Sequence, residues 1–222
     1  SQNAQVYYTT DGTDPRLEGG IVSPKATPFQ GGPVDTELIN TATSCRYLVP
    51  TDDSLGLEWV KADFEDSEWA VGENGLGYET PNGPLEPFVL TNTYELMRSP
   101  GRASSIYIRY EFDFENVDNI NNLIMRAIID DGFVAFLNGE KIASFQAPDE
   151  LNYTSRASGS RLDSAVVRES SWPTFDLASR KDLLNKGKNI LAIQAMNTSA
   201  GGSDIVFSAR LDVNHTVTAT PF

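Results

Sequence analysis

The sequence predicts an all-β protein, a β-sandwich of the jelly-roll type, from three observations. Residues 106–114, IYIRYEFDF, alternate apolar and polar side chains with a period of two, which is typical of a strand with one buried face and one solvated face. The dipeptide Asn138-Gly139 separates two apolar runs and accepts the two positive φ angles of a type I′ hairpin turn. Helical periodicity is weak, and only residues 176–187 predict one or two helical turns, ended by Gly187 at the C′ position.

The other strands follow from apolar runs that are bounded by turn residues. Residues 1–35 are rich in turn residues and predict a single short strand. The continuously apolar runs 123–130 and 133–138 indicate central strands, and Asp130-Asp131-Gly132 predicts a tight turn between these two strands. Alternation in the last strand places Phe207, Ala209 and Leu211 inward. The predicted strands are 6–10, 45–50, 106–114, 123–130, 133–138, 188–197 and 205–213.

The chain of 222 residues carries a net charge of −14, which restricts the partners that we expect. A surface this acidic repels phosphate backbones, so we expect no nucleic-acid partner. Anionic membranes are disfavoured for the same reason, and no apolar run reaches the length of a membrane span, so we expect no membrane insertion. The acidity suits either solubility in salt or the binding of divalent cations.

The chain has one cysteine, Cys45, and one histidine, His215, and these counts limit its catalytic chemistry. A Ser-His-Asp or Cys-His site needs a histidine beside its nucleophile, and His215 lies in a polar C-terminal stretch. Zinc sites of the usual His and Cys type are excluded by the same counts. We therefore expect a buried structural thiol at Cys45 and predict that the chain is not an enzyme.

Residues 6–16, VYYTTDGTDPR, resemble the signature of the small β domain at the C-terminus of chitobiases and β-hexosaminidases. The resemblance covers only the first part of the chain, so residues 1–38 are predicted to be a partial domain of this kind. The chain opens abruptly at this motif, and we expect a piece of a longer multidomain polypeptide.

Residues 39–222 resemble galactose-binding-like jelly rolls, which include the sugar-binding domain at the N-terminus of many family-2 β-galactosidases. Five elements follow the family's order: a tryptophan, a D-x-x-W with a glycine, an arginine-bearing strand, an Asn-Gly hairpin and a strand opened by G-x-N. The matching residues are Trp59, Asp66, Trp69, Gly72, Arg109, Asn138-Gly139, Gly187, Asn189, Leu191, Ala192 and Ile193.

The resemblance implies the fold first, and then a carbohydrate ligand held by loops at one end of the sandwich. Other members of the family are spacers that bind no sugar, because a fold by itself does not fix a function. A structural calcium ion is frequent in the family, and related domains occur in large secreted or surface proteins of bacteria, beside chitobiase-like pieces.

Aromatic residues supply the candidates for a sugar site, since the apolar face of a pyranose stacks on an aromatic ring. Trp59 and Trp69 belong to the shared pattern and are interpreted as core aromatics beneath a long loop. Trp172, in VVRESSWPTF, lies outside the pattern and is a predicted ligand contact, with a lid over the sandwich edge as the alternative. Tyr94, in LTNTYELMR, is a further candidate of the same type.

The longest polar insertion, residues 149–164, supplies the remaining predicted ligand contacts, Tyr153, Arg156 and Arg161. Long loops within a compact domain are often functional or disordered. The planar guanidinium groups of the two arginines suit hydroxyl groups or carboxylates.

Adjacent acidic residues occur at Asp52-Asp53 and at Asp130-Asp131. Carboxylate oxygens are hard donors that suit calcium, and Asp52 and Asp53 are the predicted calcium ligands. For Asp130-Asp131 the turn described above is the alternative. A glycosidase pair would need a cleft and a fixed separation of two carboxyl groups, which the flanking residues do not indicate.

These observations predict a non-catalytic carbohydrate-binding module of a larger secreted or surface multidomain bacterial protein, in contact with neighbouring domains of its parent chain. The alternative is a structural or protein-interaction spacer with no sugar binding. A third class, a hydrolase, would need an acidic or serine-based cleft that a single histidine makes difficult to build.

Overall fold

A computed structural model describes residues 6–29, 31–98 and 103–217 and shows a β-sandwich. Two six-stranded sheets pack against each other, and a two-stranded ribbon lies near the N-terminus. The predicted all-β sandwich is therefore confirmed. Among the described residues, no helix combines the length and the apolar character that crossing a lipid bilayer requires.

The regular elements are short strands joined by turns and single helical turns. Two short α-helices are α1 (Tyr94–Arg98) and α2 (Asp163–Val166). The 3-10 helices include Glu58–Val60 and Ala178–Leu183. The strands are β1 (Tyr7–Tyr8), β2 (Thr27–Pro28), β3 (Gly32–Ile39), β4 (Ser44–Leu48), β5 (Ala70–Glu73), β6 (Leu76–Tyr78), β7 (Thr91–Asn92), β8 (Ser105–Phe114), β9 (Ile120–Asp130), β10 (Gly132–Leu137), β11 (Glu140–Phe145), β12 (Thr174–Asp176), β13 (Gly187–Met196) and β14 (Ile205–Val217).

The first sheet has the strand order β11-β10-β13-β8-β4-β5. The second has the order β12-β9-β14-β6-β7, and its sixth strand, β3, also pairs with β14. The long strand β14 pairs with β9 along one edge, and with both β6 and β3 along the other. Neighbouring strands are antiparallel, except that β6 and β7 run parallel. The second sheet thus brings together segments from both ends of the described chain.

The main core lies between the sheets and is built by the period of two in each strand. Strand β8 contributes Ile106, Ile108 and Tyr110, and β14 contributes Phe207, Ala209 and Leu211, all of them buried. The inward faces predicted for these strands are confirmed. Each aliphatic or aromatic side chain buried in this way contributes about 1.5–3 kcal/mol to stability.

A second apolar layer covers the outer face of the first sheet. The segment between β4 and β5 crosses this face, and the ring of Trp59 stacks on that of Tyr107 with centroids 4.2 Å apart. Trp69 packs beside it, so the interpretation of both tryptophans as core aromatics is confirmed. The expectation that the outer face of β8 is solvated was wrong for Tyr107 and Arg109, which this segment buries.

The turns agree with the sequence in two cases and differ in one. Asn138 and Gly139 have φ angles of 51° and 96° and join the paired strands β10 and β11, which confirms the hairpin. Asp130-Asp131-Gly132 forms the predicted tight turn, because β9 ends at Asp130 and β10 begins at Gly132, although the two strands belong to different sheets. Gly187 opens β13, and the helical turns before it end at Leu183, so its predicted C′ role was wrong.

The predicted domain boundary between residues 38 and 39 falls inside β3. This strand pairs with β14 from Gly32 to Ile39 and is therefore part of the second sheet. The preceding ribbon pairs Tyr7 with Pro28 and is braced by an ion pair between Lys25 and Asp11. Its relation to chitobiase-like domains stays a prediction.

Candidate functional site

Three strand ends of the second sheet meet at one end of the sandwich and bring acidic residues together. Tyr78, the last residue of β6, pairs with Ile205, the first residue of β14. Glu79, which follows Tyr78, and Asp204, which precedes Ile205, are therefore neighbours. Next to them, Asp130 ends β9 opposite Val206 of β14. Antiparallel pairing therefore places Glu79, Asp130 and Asp204, which are remote in sequence, at the same end of the second sheet.

The carboxylate triad of Glu79, Asp163 and Asp204 is the tightest acidic group among the described residues. One oxygen from each carboxylate lies within 4.8 Å of the others, and all three residues are half-buried. Burial raises the pKa of Asp204, and the neighbouring charges of Glu79 and Asp163 raise it further. Three close carboxylates offer the hard oxygen donors that divalent cations such as calcium bind.

Asp130 and Asp131 lie behind this triad and are almost completely buried. Burial, and then the charges of Asp131 and Asp204, raise the pKa of Asp130 to about 9. Asp131 instead anchors two loops, because its carboxylate accepts hydrogen bonds from the backbone N–H groups of Arg161 at 2.7 Å and Thr198 at 3.0 Å. These two acids thus hold the end of the sandwich together, while the triad remains partly open to solvent.

Next to the triad lies a cleft of about 660 Å³, which we call the Tyr94 cleft. It shares Glu79 with the triad, so the two features are continuous. The residues that line it include Glu79, Asn92, Tyr94, Glu95, Leu96 and Arg98.

Tyr94 presents an exposed aromatic ring in this cleft, with 45% of the residue accessible to solvent. The ring is held in place, because it packs edge-on against Tyr78 at a centroid distance of 5.5 Å. The guanidinium carbon of Arg98 lies 5.4 Å from the centroid of the Tyr94 ring. The side chain of Asn92 accepts a hydrogen bond from the backbone N–H of Tyr94 at 2.8 Å and so fixes the start of α1. The result is a preformed aromatic surface of the kind that can stack on a sugar ring.

Trp172 lies elsewhere, on the outer face of the second sheet. Its half-buried ring packs on the buried residues Ile128, Val166 and Val206. Its indole N–H donates a hydrogen bond to the carbonyl oxygen of Val166 at 2.7 Å. This geometry matches the lid that was the alternative for Trp172, and its role as a ligand contact stays a prediction.

The residues predicted in the 149–164 insertion do not converge on one surface. Tyr153 is half-buried against the Trp59 layer, and Arg156 is exposed. The guanidinium of Arg161 donates to the carbonyl oxygens of Ile129 at 3.1 Å, Ala165 at 3.4 Å and Ser171. Its donors therefore serve to tie loops together within the protein.

The predicted calcium ligands Asp52 and Asp53 are exposed and bind backbone N–H groups. Asp52 accepts a hydrogen bond from Ser54 at 2.9 Å, and Asp53 accepts one from Tyr153 at 3.3 Å. Within the described ranges, the acidic side chains close enough to share a metal ion are those of the triad, to which neither aspartate belongs. The carboxylates that could share an ion therefore come from other segments of the chain.

Sequence reasoning missed the triad, although part of it left a signal. Asp204 directly precedes a predicted strand, and Glu79 follows the short run LGY. Strand ends carry loops, so acids flanking them were candidates for a shared site. Asp163 had no such signal, since α2 was not predicted.

The sequence matches no protein-family model and no curated protein. Solved structures to which this chain is similar include an uncultured Clostridium sp. β-glucuronidase (TM-score 0.45, 11% identity, 83% of this chain and 29% of that chain). Others are a Bifidobacterium dentium β-glucuronidase complexed with coumarin-3-O-glucuronide (0.43, 15%, 74% and 20%) and a glycosyl hydrolase family 2 member from Bacteroides cellulosilyticus (0.42, 13%, 82% and 20%). The chain thus spans less than a third of each of these proteins.

Proposed function

We propose that this chain is a non-catalytic carbohydrate-binding module of a larger secreted or surface protein, and that the Tyr94 cleft holds the sugar. The observation that carries the proposal is the exposed ring of Tyr94, fixed by Tyr78 and Arg98 inside a mainly apolar cleft that also carries several polar groups. An aromatic platform flanked by a few hydrogen-bonding groups is the usual arrangement for a small polar ligand. Glu79, Asn92 and Glu95 supply such groups here.

The Tyr94 cleft is a better sugar site than the positions of Trp172 and Arg161. The indole N–H of Trp172 and the guanidinium of Arg161 already bind backbone carbonyl groups. A ligand that binds the guanidinium of Arg161 would have to displace its bonds, and a buried carbonyl group left without a partner costs about 1–3 kcal/mol. The ring of Trp172 is half-buried against the protein, which leaves less of its surface for stacking. Tyr94 needs no such rearrangement, since its ring is already exposed.

The side chains that commonly serve as nucleophile or base support a non-catalytic role. His215 is 3% exposed, lies 3.1 Å from the hydroxyl of Thr36 and packs edge-on against Phe114. Burial raises the pKa of the Cys45 thiol to about 12, which leaves it protonated at neutral pH. Asp130, whose raised pKa would suit a general acid, is buried beneath the triad and is 3% exposed.

The test of this proposal is Tyr94→Ala, measured by isothermal titration calorimetry with the glycans that a glycan array selects for the unmodified protein. We expect the affinity to fall at least tenfold, because stacking on an aromatic ring supplies much of the binding energy at such sites. Tyr8→Ala is the matched control, since Tyr8 is also 45% exposed but lies in β1. The proposal is wrong if no glycan binds the folded protein, or if both variants bind as tightly as the parent.

We also propose that the carboxylate triad holds a structural calcium ion. Calcium prefers carboxylate oxygens, and the ion would offset the repulsion among Glu79, Asp163 and Asp204. It would thereby fasten β6, α2 and the start of β14 to one another. Binding to the folded state alone would raise the melting temperature.

Thermal unfolding in calcium and in a chelator tests the calcium site. We expect calcium to raise the melting temperature of the unmodified protein, and Asp163→Asn to abolish that increase. Asp52→Asn is the matched control, and it should keep the full calcium response. The triad is not the site if Asp52→Asn removes the response or if calcium leaves the melting temperature unchanged.

The alternative function, a spacer or protein-interaction domain, has support from exposed apolar side chains near the same end. Leu162 is 77% exposed and adjoins Asp163 of the triad, and Leu96 lines the cleft. Such residues suit contact with a neighbouring domain of the parent chain. This alternative predicts that the melting temperature rises when the adjoining domain is present and that glycans do not bind.

A further inference from the structure

We propose that the Tyr94 cleft selects amino sugars, glycans with a free protonated amine, over neutral and anionic glycans. The inference rests on the proposed function, because it names the ligand class of the same cleft. It follows from the charges that line the cleft and from how each of them is engaged.

The cleft offers two carboxylates that form no direct ion pair with any described residue. Glu79 and Glu95 both line it, and within the described ranges neither forms an ion pair with a lysine or an arginine. Glu79 accepts hydrogen bonds from the backbone N–H groups of Thr80 at 2.6 Å and Leu85 at 3.1 Å, which hold its carboxylate in position. Glu95 lies in the first turn of α1, next to the exposed ring.

The cation among the lining residues, Arg98, is already engaged within the protein. Its guanidinium carbon lies 5.2 Å from the ring centroid of Tyr78 and 5.4 Å from that of Tyr94. The same group donates a hydrogen bond to the carbonyl oxygen of Gly202. Arg98 thus supports the aromatic surface, and the carboxylates are the charges left for a ligand.

The surroundings add to the negative potential. Asp163 and Asp204 lie beside Glu79, and the whole chain carries a net charge of −14. A field of this sign attracts cations and repels uronic acids and sulfated sugars. A divalent ion on the triad would offset part of that field but would leave the carboxylate of Glu95, which lies outside the triad.

An amino sugar meets these features with two parts of one ring. Its apolar face stacks on Tyr94, and its ammonium group donates charge-assisted hydrogen bonds to a carboxylate. An ammonium group near the ring face also gains cation–π attraction. A neutral sugar obtains only the stacking and ordinary hydrogen bonds.

The experiment compares the β-1,4-linked hexamers of glucosamine, N-acetylglucosamine and glucose, which differ only at C2. An oligogalacturonate serves as the anionic ligand. Affinities are measured by isothermal titration calorimetry in a mildly acidic buffer with a chelator. We expect the glucosamine hexamer to bind at least about fivefold more tightly than the glucose hexamer. Added salt should shrink that ratio, because it screens exposed charges.

Glu95→Gln should lower the ratio, and the double variant Glu79→Gln/Glu95→Gln, which removes both carboxylates of the cleft, is the decisive variant and should bring the ratio close to one. Glu86→Gln, which removes the same charge from an exposed residue outside the cleft lining, should leave the ratio unchanged. Equal affinities for the hexamers, or a preference that survives in Glu79→Gln/Glu95→Gln, would overturn the inference. If the hexamers bind equally and all lose affinity in Tyr94→Ala, sugar binding stands without the selectivity, whereas absence of binding by every oligomer overturns both.

Discussion

The ion pair between Arg109 and Asp66 gives the sharpest test of how the outer layer is held on the first sheet. The Nε atom of Arg109 lies 2.6 Å from the Asp66 carboxylate, and the arginine side chain is 1% exposed. Its guanidinium also donates to the carbonyl oxygens of Trp59, Lys61 at 2.9 Å and Phe64 at 3.4 Å. One side chain therefore satisfies four acceptors of the segment that covers the sheet.

Arg109→Met removes these bonds and leaves the three carbonyl groups without their donor, while the Asp66 carboxylate keeps only the half-exposed Arg46, whose Nε lies 3.4 Å away. Breaking a buried ion pair by removal of one partner costs about 3–5 kcal/mol, and we expect a loss of this size in the free energy of unfolding. The main core remains intact, so the damage should centre on the covering segment. Urea denaturation measures the total, and hydrogen exchange of the amides in residues 58–69 shows where protection is lost.

Lys188→Met is the matched control, because Lys188 and Glu111 lie at the same 2.6 Å separation. Their side chains are 56% and 61% exposed, so solvent screens the pair, and its removal should cost less than about 1 kcal/mol. Burial, and not distance, would then account for the contrast between the two variants. Similar losses for Arg109→Met and Lys188→Met would refute the reasoning, as would unchanged exchange in residues 58–69.

Two further predictions concern the pairing of β6 with β14 and the thiol of Cys45. In Gly77→Ala the new Cβ would lie 1.8 Å from the carbonyl oxygen of Ile205, so β6 must leave β14, and the variant should lose its calcium response and much of its stability. In the control Gly139→Ala the nearest atom to the new Cβ is 3.7 Å away, so this variant should cost only about 1 kcal/mol of backbone strain. Equal melting temperatures for the two variants would contradict this prediction. Because burial raises the pKa of the Cys45 thiol to about 12, its contribution to stability is fully present below the unfolded value of about 8.5 and is lost as the pH rises through 12. Cys45 in the folded protein should therefore react with a thiol reagent only as fast as the protein unfolds, and rapid labelling at neutral pH would show the burial to be wrong.

Much of the sandwich could be predicted because its strands carry a local pattern. The alternation in β8 and β14 fixed which side chains face the core, and Asn138-Gly139 fixed a hairpin through its own φ preferences. The pattern failed for the outer face of β8. Burial of Arg109 depends on a segment about fifty residues earlier in the chain, which periodicity within the strand does not record.

The candidate site was less accessible to prediction. Tyr94 was named from its residue type, but a fixed and exposed ring requires Tyr78 and Arg98 beside it. The calcium ligands were sought at Asp52-Asp53 because adjacent acids are conspicuous in a sequence. The triad instead takes one acid from each of three distant segments, which only the pairing of β6 with β14 and the placement of α2 bring within 4.8 Å.

By itself, the sequence determined the all-β class, the two core faces, the hairpin and the acidic character of the surface. Each of these follows from residues close together in the chain, or from composition alone. The tertiary structure decided which aromatic ring stays exposed, which arginines are engaged within the protein and where the carboxylates meet. Those properties depend on which distant strands become neighbours, and strand pairing is governed by packing of the whole sandwich.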